Sequence, residues 1–238
     1  MNYCILNGKK STMVKGLMIQ SLPPITKPLM RSKIEEIDGR DGDIVTKLGY
    51  SAYDRTMSIG LFGDYDIAEV INYFNSDGEA VFSNELDRVY KYKILNQIDY
   101  DRLGKFKQAN VTFHVQPFKY SSVDDSITIN DGASVTKSKT LRNYGNYYSK
   151  PVIFVYGCPS SFTMTINGQT ITIASPTSNN LMIDIENMNA YYLSNGNYAN
   201  RAVTADYDKI KLNANADNTF TWTGTCTQLV IKNISRWI

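Results

Sequence analysis

The pattern of apolar and polar positions is clearest in the second half of the chain. Phe162, Met164 and Ile166 alternate with Thr163 and Thr165, Asn167-Gly168 follows, and Ile171 and Ile173 then alternate with Thr170 and Thr172. Asn-Gly supplies the positive φ angles of a type I′ turn, so this stretch predicts a β-hairpin with one buried face. The same period of two recurs at Leu181, Ile183 and Ile185, at Ile210 and Leu212 around Lys211, and at Phe220 and Trp222 among threonines. Val152–Tyr156 and Leu229-Val230-Ile231 are continuous apolar runs that read as buried strands. Many short strands with polar turns and no helical period predict an all-β sandwich.

The first half is mixed. Ile67, Val70, Ile71 and Phe74 fall at i, i+3, i+4 and i+7, behind the candidate N-caps Asp64 and Asp66 and ahead of Ser76-Asp77-Gly78. This predicts one amphipathic helix at about 64–75, packed on a sheet. Strands are expected at Thr56–Phe62, Glu79–Ser83, Val89–Ile98 and Val111–Val115. Asp38-Gly39-Arg40-Asp41-Gly42 is a turn between two long charged segments.

Composition separates the halves further. Asn and Thr total 12 in the first 120 residues and 29 in the remaining 118, whereas Lys+Arg and Asp+Glu fall from 16 and 15 to 9 and 8. The two parts stay soluble by different means, so two domains are expected, 1–135 and 136–238, joined in the polar Ser121–Lys139 region. The fold class is therefore mainly β, with a β-sandwich carrying the helix and an extended hairpin expected in the first domain and a second β-sandwich in the other. The formal net charge of the 238 residues is +2. No chain-wide field exists for gripping nucleic acid, because such binding needs clustered Lys and Arg. Met1–Gly8 has neither a basic nor an apolar signal region, and no apolar run approaches the ~20 residues a bilayer requires. Cys4, Cys158 and Cys226 are scattered and odd in number, pointing to reduced thiols with one disulfide left open.

Reactive residues are few. His114, the single histidine, sits on the polar side of an alternating strand beside Thr112 and Gln116, where a solvated or interface role is expected over catalysis. One His and three scattered Cys lack zinc-ligand spacing. Asn213–Asn218 starts like a calcium loop, but Asn218 stands where glycine makes the bend and Gly224 where a bidentate glutamate belongs, so a polar turn is expected. The carboxylate pairs Asp64/Asp66 and Asp124/Asp125 read as helix caps and solvated linker. No phosphate loop or nucleophile elbow is found, and no catalytic residue, metal or cofactor is assigned. Among the 17 tyrosines, Tyr144, Tyr147, Tyr148, Tyr191, Tyr192 and Tyr198 cluster near predicted loops. Tyr147, Tyr148, Tyr191 and Tyr192 are candidates for an outward partner surface.

Four stretches together resemble a known family: Ile5-Leu6-Asn7-Gly8; Gly39-Arg40-Asp41-Gly42 with Tyr53-Asp54-Arg55; Phe82 through Lys91; and Val111 through Tyr120. Lys150-Pro151, the Asn167-Gly168 hairpin, Leu181–Ile185, Asn218 and Arg236-Trp237 agree in style. The chain resembles the distal tail proteins of long, non-contractile-tailed phages that infect Gram-positive bacteria, in a minimal form without binding insertions. The resemblance implies a ring-forming β-rich N-terminal domain and a galectin-like β-sandwich C-terminal domain. It implies a homo-hexamer, as one ring or two stacked rings, at the distal end of the virion tail. The protein would be made in the host cytoplasm. Implied partners are the major tail tube protein, a tail-tip or tail-associated lysin-like protein and, in some members, a receptor-binding protein. DNA would be only passing cargo.

Within that frame the polar segment Arg31–Gly49 is expected to embrace a neighbouring subunit, with Lys33, Glu35, Glu36, Arg40, Asp41, Asp43 and Lys47 at the interface. The galectin sugar site is not expected, since the only histidine lies in the first domain and Trp222 points into or across the sandwich. The alternatives are a cell-wall carbohydrate-binding accessory protein of the virion and, behind it, a hydrolase.

Overall fold

The computed structural model describes residues 1–130, 138–158, 161–174, 180–232 and 235–238. It divides into two compact units, Met1–Ser122 with Ile238, and Val123–Trp237. The expected boundary at 135/136 falls within 131–137, outside the described residues. Ile127–Ile129 pairs with Leu229–Ile231 within the second unit, whose start at Val123 lies inside the Ser121–Lys139 region.

The first unit contains β1 (Cys4–Leu6), β2 (Lys9–Lys10), β3 (Leu17–Ser21), β4 (Met30–Glu36), β5 (Asp43–Tyr50), β6 (Tyr53–Leu61), α1 (Ile67–Phe74), β7 (Asp77–Phe82), β8 (Glu85–Ile94), α2 (Tyr100–Phe106) and β9 (Gln108–Ser121). Seven strands run in the order β2-β1-β7-β8-β9-β6-β3, while β4 and β5 pair only with each other. The core forms where alternation places Met57, Ile59 and Leu61 of β6 and Val111, Phe113 and Val115 of β9 on one face, all buried. Phe82 stacks edge-on against Tyr90 and Phe113, at centroid distances of 5.6 and 5.3 Å.

Helix α1 begins at Asp66, whose carboxylate accepts the Ala68 and Glu69 amides. Its buried face is Val70, Tyr73 and Phe74, and the Tyr73 hydroxyl donates to the carbonyl of Cys4 at 3.1 Å. Asp64, the other candidate cap, pairs instead with Lys15. The sequence predicted one helix; the structure has a second, α2, with Asp99 as N-cap and a left-handed Lys107 as C-cap. Only Leu103 of α2 is buried, so the helix carries no amphipathic period to detect.

The second unit contains β10 (Ile127–Ile129), β11 (Ser138–Asn143), β12 (Val152–Tyr156), β13 (Phe162–Ile166), β14 (Gln169–Ile173), β15 (Leu181–Asp184), β16 (Asn189–Tyr192), β17 (Val203–Ala205), β18 (Ala216–Thr223) and β19 (Gln228–Lys232). They form two five-stranded sheets, β10-β19-β12-β15-β16 and β11-β18-β13-β14-β17. One buried cluster joins Ile153, Leu181 and Leu229 of the first sheet to Phe162, Ile171 and Phe220 of the second, which makes a sandwich. The Asn167-Gly168 turn has φ of 47° and 83°, the positive values its residues admit. Ile210 and Leu212 are buried on either side of the exposed Lys211 but form no ladder strand; Leu212 makes an isolated bridge to Ser149.

Candidate functional site

The feature that stands out is the β4–β5 hairpin, an arm whose residues are almost all exposed. Along β4 only Met30 is half-buried, and along β5 only Ile44, Gly49 and Tyr50. Its register sets Ser32 opposite Lys47, Ile34 opposite Val45 and Glu36 opposite Asp43, on one face. Lys33 opposite Thr46 and Glu35 opposite Ile44 occupy the other. All seven candidate interface residues, Lys33, Glu35, Glu36, Arg40, Asp41, Asp43 and Lys47, thus fall on the arm and are exposed. Among their described ion pairs is Lys33 with Glu35, within one face.

Ile34 and Val45 are 60% and 50% exposed, and Leu48 58%, so the arm carries apolar area that no part of its own unit covers. A two-stranded hairpin alone is marginal in water and gains stability when another surface covers it. Glu36 and Asp43, directly opposed and both acidic, destabilise the free arm.

The root of the arm is held firmly. Arg55 lies in β6 in phase with Met57 and Ile59 and is 1% exposed. Its Nη2 donates to the carbonyls of Pro23 and Pro24 at 3.2 and 3.0 Å. Its guanidinium lies 4.2 Å from the Tyr90 ring centroid and 4.9 Å from that of Phe82. Asn84 Nδ2 donates to the same Pro23 carbonyl at 3.0 Å. Next to this latch, Glu85 accepts from Lys119 at 2.7 Å and from the Tyr90 hydroxyl. Burial, and secondly the bond to Glu85, hold the Tyr90 phenol well above its usual range. The strap Leu22–Leu29 that leads into β4 is thereby tied to the sheet, and Tyr50 at the end of β5 meets Phe118 edge-on at 6.1 Å.

Sequence reasoning did not single out this latch. The signal was available: Tyr53, Arg55, Met57, Ile59 and Leu61 share one alternation phase, which puts Arg55 on the core side.

The four tyrosines proposed as an outward surface lie at two places. Tyr147 and Tyr148 are half-buried, with ring centroids 4.5 Å apart, and their rings flank the buried Arg236 guanidinium at 5.4 and 4.8 Å. Arg236 also donates to the Tyr148 carbonyl and, at 3.2 Å, to Glu186. Tyr191 and Tyr192 belong to β16, a sheet edge; Tyr191 stacks at 5.2 Å on Tyr198, and Tyr192 packs on the core. Trp222 is 5% exposed, its indole turned into the sandwich.

His114 stands opposite Asp54 in the β6–β9 ladder, with its Nδ1 2.7 Å from the carboxylate. The stretch resembling a calcium loop is a turn latched by Asn218. The Asn218 Oδ1 accepts from the Asn213 amide and Asn167 Nδ2, both at 2.7 Å, and its Nδ2 donates to the Ala216 carbonyl at 3.0 Å.

No family model and no curated protein matches the chain. Among solved structures it is similar over 100% of both chains to the Dit protein of phage SPP1, described as a paradigm of the hub adsorption apparatus in phages infecting Gram-positive bacteria. That likeness has a TM-score of 0.69 at 16% identity. A chain of the phage P2 baseplate, in its activated conformation with Ca, matches at TM-score 0.57 and 9% identity, over 100% of this chain and 98% of that one. The corresponding baseplate with Sr gives 0.50 and 8%, over 98% and 97%. The chain therefore shares the fold of the SPP1 Dit protein throughout its length.

Proposed function

We propose that this protein is a structural, non-enzymatic hub of a phage tail tip, a hexameric ring that links the tail tube to the tail-tip and host-adhesion proteins. The observation that carries the reading is the full-length fold match to the SPP1 hub protein. In this reading the unit Met1–Ser122 forms the ring, and the sandwich Val123–Trp237, galectin-like in architecture, serves as the outward partner domain. The arm β4–β5 reaches a neighbouring copy, which covers Ile34, Val45 and Leu48. Because each copy both gives and receives an arm, the contact is heterologous and closes into a ring. A scaffold of this kind needs complementary surfaces and no reactive groups.

Deleting Ser32–Lys47 tests the reading. The arm contributes nothing to the core of its own unit, so the deletion variant keeps a native circular dichroism spectrum. Light scattering is expected to show a ring for the intact protein and a monomer for the variant. A variant ring with its full complement of subunits overturns the arm's role, and an intact protein that stays monomeric at every concentration overturns the hub.

A further inference from the structure

The arm leaves open where on the receiving copy it lands, and a second unpartnered element of the first unit answers that. In the β6–β9 ladder the Leu61 amide donates to the Lys107 carbonyl at 3.1 Å, so Lys107, Ala109 and Val111 direct their backbone groups toward β6. Gln108, Asn110 and Thr112 point theirs the other way, where β8 would lie. β8, however, ends at Ile94, opposite Phe113. Beyond it the Asn96 side chain accepts the Thr112 amide at 2.9 Å and closes the ladder there. The amide and carbonyl groups of Gln108 and Asn110 therefore face an open cleft of about 610 Å³, lined also by Gln97, Asp99, Arg102 and Phe106. It is a short, unpaired sheet edge with α2 as its opposite wall.

We infer that this edge is the receiving site for the arm of a second copy, which adds as a strand beside Gln108–Asn110. The inference rests on the hub reading above. Charge complementarity selects the occupant. The arm tip Glu35–Asp43 holds five acidic residues and one basic residue, and Glu36 and Asp43 face each other in register. They need a cation between them. The α2 wall offers the exposed Arg102 inside the cleft, with Lys105, also exposed, on the adjoining helix face beside Asp101; the Asp99 carboxylate at the cleft is turned to the Arg102 amide at 2.8 Å as the helix cap. Apolar area matches too: Phe106 lines the cleft at 73% exposure, against Ile34 and Val45 on the arm. Both elements end in free backbone edges within one polypeptide, so identical copies in a ring satisfy each other.

The test is a charge swap in the full chain. Arg102→Glu with Lys105→Glu changes only exposed positions, and is expected to raise the concentration at which half the ring dissociates roughly tenfold, the scale of two reversed surface contacts. Adding Glu36→Lys and Asp43→Lys to the same chain is expected to restore assembly. In a separate variant, Val45→Cys with Phe106→Cys should give an interchain disulfide ladder on mild oxidation, since the three native cysteines are buried. If the ring forms, depends on the arm, and is indifferent to both the reversal and the cysteine pair, the arm lands elsewhere and this inference falls while the hub reading stands. If the unaltered chain never assembles, both fall.

Discussion

Asn218→Asp is the most revealing single substitution in the second unit, because it keeps the volume and changes only the hydrogen-bonding sense of one buried group. Asn218 is fully buried. Its oxygen accepts from two donors at 2.7 Å, and its nitrogen donates to the Ala216 carbonyl at 3.0 Å, with longer contacts to Asn213 and Leu141 carbonyls at 3.4 and 3.5 Å. A carboxylate keeps the acceptor and turns the donor into a second negative oxygen facing three carbonyls. A buried charge without a counter-charge costs about 3–5 kcal/mol. For a unit of this size that lowers the melting temperature by roughly 10–25 °C.

The sign of the pH dependence follows. The introduced acid has an unfolded pKa near ~3.9, and burial beside carbonyls raises it in the folded state. Its protonated form, which donates a hydrogen bond, is the one the site accepts. The penalty is therefore full above the raised pKa and shrinks as pH falls toward the unfolded value, at about 1.4 kcal/mol per pH unit. Asn218→Ala costs about 2–4 kcal/mol through lost bonds and a small void, and its cost stays flat with pH. Trp222 lies in this unit's buried cluster, so thermal unfolding followed by its fluorescence in a Trp237→Phe background reads this unit. A melting temperature for Asn218→Asp within 2 °C of the parent at neutral pH, or a deficit that does not change between neutral pH and pH ~4.5, refutes the latch.

Arg55→Met is expected to be nearly neutral for folding but to free the strap. Two charge-assisted bonds to proline carbonyls are lost, at about 1.5–3 kcal/mol each, while the burial of unpartnered Nε and Nη1 is relieved at about 1–3 each. Hydrogen exchange in Leu22–Arg31 should accelerate while the core amides of β6 and β9 stay protected; unchanged exchange there rules out the latch. The thiols should be silent in the native protein. Burial pushes Cys4 up to about 11 and Cys158 up to about 12, and raises Cys226. Ellman's reagent at pH 8 should find no thiol before denaturation and all three after it, and rapid native labelling of any one contradicts its burial.

What could be read from the chain, and what could not, divides along one physical line. Alternation and turn chemistry report on local backbone geometry, so the Asn167-Gly168 hairpin, the sandwich strands β12, β13, β14, β15, β18 and β19 and an α1 start at Asp64 or Asp66 were visible, whereas β10, β11, β16 and β17 were not. The polar Arg31–Gly49 stretch announced itself as a hairpin by failing to supply a buried face. Helix α2 was invisible because one buried leucine makes no period. Ile210–Leu212 misled for the opposite reason: two apolar residues around a lysine look like a strand, although burial alone accounts for them. The buried cations Arg55, Lys119 and Arg236 were missed because a positive charge reads as solvent-facing until a partner is known. Each is explained by something distant in sequence: proline carbonyls, Glu85, and a tyrosine pair with Glu186. Tyr147 and Tyr148, read as candidates for display, are turned toward Arg236 by that same long-range contact.

The composition of the arm can be derived from two opposing demands. A hairpin with both edges free is a template for uncontrolled strand pairing. Charges along it suppress that: Lys33, Glu35 and Lys47 interrupt every apolar run, so no stretch of the arm offers a dry, uncharged edge to a random partner. The same charges would also repel a legitimate partner unless its surface were complementary, which is why the opposed Glu36 and Asp43 are informative. They weaken the free arm and so favour any state in which a cation sits against them. An edge that supplied only backbone groups would admit the arm in any register. One that adds Arg102 beside Gln108–Asn110, with Lys105 on the adjoining helix face, admits it in the register that brings a cation to the acidic pair. Specificity then comes from cancelling a repulsion built into the monomer, and the strand ladder supplies affinity. On this reasoning, neutralising the acids should strengthen the free hairpin while weakening the discrimination between correct and slipped assembly.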